Sequence, residues 1–238
     1  MSLEKRHLWA KQYLDRHYPN FEDAETIFEK MVKEMLRPEM VLLDAGCGKG
    51  EFLDKLGPAT GRAVGIDLSK ESVKKAGHNA ALALGTLEAL PFRDETFDLI
   101  TCRWVVEHLE DPGRSLSELH RVLKTGGRIV LLTSNARSYA ALLSRLMPLE
   151  MKRRLLNKLG RGESDTFPTY YRCNSVSKIR ELASENQFSE EGLTLVGSPF
   201  YFFFSKSFFR LAVAYEKLTD FKMLNASKIH IIASFIKQ

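Results

Sequence analysis

Five short apolar runs recur between residues 40 and 134: MVLLD (40–44), AVGID (63–67), AALAL (80–84), FDLITC (97–102) and RIVLLTS (128–134). Helical patterns near 51–57, 69–77 and 113–123 separate them. Runs this short and this uniformly apolar read as strands buried on both faces. Parallel partners of that kind need a crossover helix between them, so the alternation predicts an α/β fold with helices on both faces of a mostly parallel sheet. Upstream, EDAETIFEKMVKEML (22–36) repeats Ile27, Met31 and Met35 at helical spacing, with Phe28, Val32 and Leu36 beside them and Pro38 as the stop.

After residue 135 the rhythm changes. Residues 138–162 read as mostly helical, DTFPTYYRCN (165–174) as a loop, and SVSKIRELASENQF (175–188) as a helix. EGLTLVG (191–197) then reads as a strand, residues 202–218 as a helix, and KIHIIASFIK (228–237) as a closing strand. The expected architecture is a Rossmann-like, doubly wound, seven-stranded sheet with a helical insertion between strands five and six. One domain is expected over residues 1–238: N-terminal helices in 1–39, a cofactor-binding core in 40–135, a helical insertion or lid in 136–173, and the remainder of the fold in 174–238.

Composition narrows the setting. Cys47, Cys102 and Cys173 are scattered, odd in number and without a C-x-x-C pair, so no disulfide framework and no metal site is expected. A reducing, cytoplasmic location fits that usage. The first residues, MSLEKRHLWAKQYLDRH, lack a leader's apolar stretch, and no segment approaches the roughly 18 apolar residues of a spanning helix. The expectation is a protein that at most lies on a membrane. A net charge of +5 over 238 residues, with no long Lys/Arg block, decides nothing about partners.

In a doubly wound sheet, ligands sit beyond the carboxyl ends of the strands. LLDAGCGKGEF (42–52) leaves the first strand there, and Gly46, Gly48 and Gly50 allow tight turning and close approach to backbone amides. Nineteen residues beyond Gly48, Asp67 ends the second strand, where a carboxylate can accept both hydroxyls of an adenosine ribose. A dinucleotide reader would show a third glycine at position 51, but Glu51 stands there, a poor neighbour for a pyrophosphate. A phosphate-cradling G-x-x-x-x-G-K-[ST] loop is absent, because Gly50 follows Lys49. What remains is a cofactor without phosphate, and Asp44 suits one that carries an ammonium or sulfonium.

The motifs resemble the class I S-adenosylmethionine-dependent methyltransferases, in the branch typified by ubiquinone/menaquinone-biosynthesis methyltransferases. VLLDAGCGKG is similar to the first motif, AVGIDLS to the second, LPFRDETFDLITCRWVVEHLEDP to the third and fourth, and LKTGGRIVLLTSN to the fifth strand with its preceding turn. The resemblance covers residues 40–135 and implies S-adenosylmethionine as cofactor. It implies that Asp44, Gly46, Cys47, Gly48 and Gly50 meet the methionine moiety, that Asp67 and Leu68 hold the ribose, and that Thr86 and Leu87 flank the adenine. One departure stands out: GTLE (85–88) replaces the family's Gly-Asp-Ala-Glu, so Thr86 offers a neutral hydroxyl where a carboxylate is usual.

Arg103 and Trp104 end the fourth strand and are candidates for the methionine moiety and the acceptor. His108 in VVEHLEDP is the candidate base, since imidazole titrates near neutrality; its alternative is a structural role at the cofactor's edge. Tyr170, Tyr171 and Arg172 are candidates for the acceptor pocket, or else an aromatic plug closing the insertion. The implied activity is in-line methyl transfer to a small-molecule or lipid-like acceptor, with an RNA or protein methyltransferase and a non-catalytic binder as alternatives. CRWVVEH, standing where base-directed enzymes carry an Asp/Asn-Pro-Pro-aromatic motif, argues against a nucleic-acid acceptor. Two basic amphipathic stretches, 148–159 and the stripe Phe208, Leu211, Tyr215 and Leu218, are expected either to pack on the sheet or pocket, or to touch a membrane transiently.

Overall fold

The structure is a computed structural model that describes residues 3–56, 61–74, 81–146, 168–203, 205–221 and 224–238. Residues 148–159, one of the two expected amphipathic stretches, lie outside the described residues. Seven strands form one sheet in the order β3-β2-β1-β4-β5-β7-β6. They are β1 Val41–Ala45, β2 Arg62–Asp67, β3 Ala81–Leu84, β4 Phe97–Arg103, β5 Leu123–Ser134, β6 Phe188–Val196 and β7 His230–Lys237. Strands β1 to β5 pair in parallel, and β7 runs antiparallel to both β5 and β6. The chain winds outward from β1 to β3 and then returns to place β4 on the other side of β1. The crevice between the ends of β1 and β4 is therefore the topological switch point.

Each buried strand contributes alternate residues to the two faces. Leu43, Ile100, Ile129 and Ile231 face one cluster, covered by α5 Pro112–Val122 and α7 Val176–Glu185. Leu42, Leu99, Val130 and Ile232 face the other, covered by α2 Ala24–Met35 and α3 Glu51–Leu56. Local chemistry sets the helix starts. Asp23 accepts from the Thr26 amide at 2.9 Å to cap α2, and Asp111 accepts from the Arg114 amide at 3.0 Å ahead of Pro112 to cap α5. The other α-helices among the described residues are α1 Leu3–His17, α4 Lys70–Lys74, α6 Tyr139–Leu146 and α8 Lys206–Thr219. Helix α6 opens the connection between β5 and β6.

Two expectations need correction. Strand β5 begins at Leu123 rather than Arg128: Leu123 pairs with Phe97 ahead of a register shift, and Gly126 takes φ +76° where the backbone kinks. Of the two alternatives for the α8 stripe, packing on the sheet or pocket is not met by Phe208, Leu211 and Leu218. Helix α8 instead buries Phe209, Ala212, Val213 and Glu216, with Phe209 and Val213 packed beside Ala10 and Leu14 of α1. Phe208, Leu211 and Leu218 face solvent, at 57, 66 and 54% exposure. The cations of α8 turn toward α1: Lys206 and Arg210 lie over the Trp9 ring at 5.0 and 5.9 Å, and Lys217 donates to the His17 carbonyl. A satellite aromatic core under α1 won the apolar face that helical periodicity alone left unassigned.

Candidate active site

The loop after β1 crosses the end of β2. The amides of Gly46 and Cys47 both donate to the Ile66 carbonyl, at 2.8 and 3.1 Å. Gly46 holds φ +81°, and a Cβ there would run into the Val105 side chain, so the group that approaches this backbone most closely belongs to the turn after β4. Gly48, at φ +56°, has open space where its Cβ would stand. Its amide donates to Asp67 Oδ2 at 2.8 Å while the Ser69 amide donates to Oδ1 at 2.7 Å. Two backbone donors thus hold the carboxylate at the tip of β2, and each oxygen keeps a second lone-pair direction for a ligand hydroxyl.

A cavity of about 490 Å³ opens at the switch point. Its lining includes Gly46, Asp67, Leu68, Thr86 and Leu87 from the ends of β1 to β3, and Trp104, Val105, His108 and Tyr170 from the turn after β4 and the segment that packs on it. That volume falls in the roughly 300–1,000 Å³ range of small-ligand sites. The cavity brings together seven of the sequence-predicted residues outside the glycine loop: Asp67, Leu68, Thr86, Leu87, Trp104, His108 and Tyr170.

Asp44, Cys47, Gly50 and Arg103 are not among the lining residues. Asp44 is buried and accepts from the Thr101 hydroxyl at 2.8 Å; burial pushes its pKa up to about 6, against that hydrogen bond and the nearby Arg103 charge. Cys47 packs its sulfur beneath Gly65, and burial pushes its thiol up to about 12, which makes it a filler rather than a nucleophile. Arg103 turns toward α2, 3.5 Å from Glu25 and over the Phe52 ring at 4.7 Å. Gly50 donates its amide to the Cys47 carbonyl at 2.9 Å where α3 begins. Thr86 accepts from the Glu88 amide at 3.3 Å, so its hydroxyl shapes the turn after β3.

The segment 168–174, which returns from the insertion, is stapled over the strand ends. The amides of Tyr170 and Tyr171 donate to the Glu107 carbonyl, Arg172 donates to the Glu110 carbonyl, and Arg172 lies over the Tyr170 ring at 5.2 Å. Tyr171 and Arg172 sit on this segment outside the cavity lining, and burial raises the Tyr171 hydroxyl. His108 Nδ1 lies 2.9 Å from the Pro168 carbonyl, which can only accept; the neutral ring therefore carries its proton on Nδ1 and its lone pair on Nε2. Sequence reasoning missed the buried network beneath. Asn174 donates to Thr133 Oγ1 at 2.6 Å, and Thr133 donates to Glu107 at 2.7 Å. Only the polar residue types at otherwise apolar strand ends hinted at it.

The donor set fits an adenosine-bearing cation. Asp67 offers free lone pairs for a ribose diol, and Gly48 leaves room beside it. A positive group near Asp44 would offset the desolvation that raises that carboxyl. Residues 43–131 match the family described as "Methyltransferase domain". The chain is 29% identical over 192 residues to the uncharacterized methyltransferase YcgJ of Bacillus subtilis (strain 168), covering 77% of this chain and 70% of that one. The solved structure of YcgJ superposes with a TM-score of 0.59 over 90% of this chain and 99% of that one, at 21% identity. Demethylmenaquinone methyltransferase of Symbiobacterium thermophilum is 30% identical over 156 residues, covering 56% of this chain and 62% of the relative's length. Geranyl diphosphate C-methyltransferase of Streptomyces coelicolor A3(2), solved with S-adenosyl-L-homocysteine, shares the fold at a TM-score of 0.61 and 14% identity, over 90% of this chain and 78% of that one. The motifs read from the strand ends and the matched family agree over the same stretch: residues 43–131 form a methyltransferase domain of the class I, S-adenosylmethionine-dependent kind.

Proposed function

We propose that this protein transfers the methyl group of S-adenosylmethionine to a small, amphiphilic acceptor held at the Trp104–His108–Tyr170 end of the cavity. The observation that carries this reading is the continuity of one cavity from the Asp67 carboxylate to that aromatic end. Bound there, the cofactor supplies a methyl group on a sulfonium, a leaving group that needs no further activation. The protein's task is then to hold, align and exclude water. Asp67 holds the ribose, Asp44 favours the cationic form, and Trp104 and Tyr170 wall the acceptor end with apolar surface. Where the acceptor is a hydroxyl, His108 Nε2 takes its proton, because the Pro168 carbonyl keeps the other ring nitrogen protonated. Tyr171 and Arg172 belong to the rim through which the acceptor passes.

A small acceptor is also in keeping with the name of the demethylmenaquinone methyltransferase to which the chain is similar. The non-catalytic alternative rests on Thr86 alone, and a threonine that shapes its turn is compatible with a working adenine site. Calorimetric titration with S-adenosylmethionine and S-adenosylhomocysteine tests the cofactor half. Asp67→Ala is expected to weaken both by about 1.5–3 kcal/mol, the worth of a charged hydrogen-bond partner. Equal affinity in mutant and wild type would remove Asp67 from the site. Transfer of a labelled methyl group to a cell extract, then fractionated, tests the acceptor half: label confined to protein or nucleic acid would overturn the small-acceptor reading.

A further inference from the structure

Trp104 is held in an uncommon backbone state. It is the first residue after β4, it lines the cavity, and it has φ +58°, a region that bulky side chains rarely adopt. Such a conformation persists only where the surroundings over-determine it. Three contacts do so. The Trp104 amide donates to the Leu132 carbonyl at 2.9 Å, His230 meets the indole edge-on at 5.0 Å, and indole Nε1 donates to Glu25 Oε1 at 3.1 Å. Glu25 lies in the first turn of α2, and its other oxygen stands 3.5 Å from Arg103 Nη1. One carboxylate therefore grips both residues at the end of β4, across 79 positions of sequence from Trp104.

We infer that Glu25 is a positioning residue for the acceptor end of the cavity: it sets the orientation of the Trp104 indole and makes α2 part of the site. Among the described residues the polar partners of Glu25 are Trp104, which lines the cavity, and Arg103, which does not, so its effect on the cavity is transmitted by the Nε1–H bond. The inference rests on the proposed function only in taking that cavity as the cofactor and acceptor site. Glutamine at position 25 keeps an oxygen for the indole and gives up the ion pair with Arg103, whereas alanine gives up both.

The test uses the full chain labelled with 5-fluorotryptophan, whose two tryptophans, Trp9 and Trp104, give two fluorine resonances assigned with Trp104→Phe. Glu25→Ala is expected to shift and broaden the Trp104 resonance, leave the Trp9 resonance in place, and keep the melting transition. Glu25→Gln is expected to restore the wild-type position. With a cell extract as acceptor source, Glu25→Ala should raise the half-saturating extract concentration about two- to tenfold, the range expected for one exposed hydrogen bond. S-adenosylhomocysteine affinity should change less than that. In the Trp104→Phe background, which lacks the N–H, the same substitution should have no further effect on half-saturation. A Trp104 resonance unmoved in Glu25→Ala, or equally displaced in Glu25→Gln, would overturn the inference. A resonance that moves as expected in a protein showing no response to S-adenosylhomocysteine supports the grip of Glu25 on Trp104 and refutes the proposed function instead.

Discussion

Two sets of residues that line the cavity are held in place differently. Around the proposed adenosine subsite, backbone amides hold the polar side chains: those of Gly48 and Ser69 hold Asp67, and that of Glu88 holds Thr86. Around the proposed acceptor subsite, the holding contacts join distant segments: Glu25 to Trp104, Pro168 to His108, Asn174 to Thr133. A subsite whose polar groups are held by backbone amides follows from the fold's topology. An end made of side chains from remote segments can change its acceptor without disturbing the sheet.

The largest break in that contrast is Gly46→Ala. The new methyl would meet both a left-handed backbone and the Val105 side chain, so a destabilisation of about 2–5 kcal/mol is expected, read by denaturant unfolding. Because Val105 follows Trp104, this one residue should disturb both ends together.

Asp44→Asn separates stability from function. The folded pKa of about 6 lies above the ordinary carboxylate value of 3.8, so the native state holds its proton more tightly than the unfolded chain. Stability contributed by this group therefore falls as pH rises from about 4 to 6, and the full penalty stands above that window. The amide should raise unfolding free energy at neutral pH by up to about 3 kcal/mol, show no gain below about pH 4, and weaken cofactor binding. A gain that is the same at both pH values would show that ionisation is not its cause.

Asn174→Ala sharpens the contrast from the other end. Loss of its bonds to Thr133 and the Ser134 carbonyl should cost about 1–3 kcal/mol and loosen segment 168–174. Methyl transfer should drop while cofactor affinity, measured by titration, holds. The smallest effect concerns the solvent-facing Phe208, Leu211 and Leu218. With the α8 cations engaged on α1, flotation with anionic vesicles should be weak, fade with salt, and fall further in Leu211→Ser, each cation near the surface adding at most about 1 kcal/mol. Strong, salt-insensitive flotation would contradict that arrangement.

No helix among the described residues is long and apolar enough to cross a membrane, as the sequence led one to expect. By itself the sequence determined the order of strands and helices from 40 to 134, the seventh strand, and that Asp67, Leu68, Thr86 and Leu87 come together beyond the strand ends. Those features depend on periodicity, short-range turn chemistry and the rule that ligands sit at strand ends, all of which are local. Tertiary structure alone decided which face of α8 is buried, that Arg103 turns to Glu25, that Val105 fills the space Gly46 clears, and that Glu107, Thr133 and Asn174 share a buried network. Each depends on which distant segment wins a shared surface, and that competition is settled by packing and desolvation between segments, which no window of neighbouring residues contains.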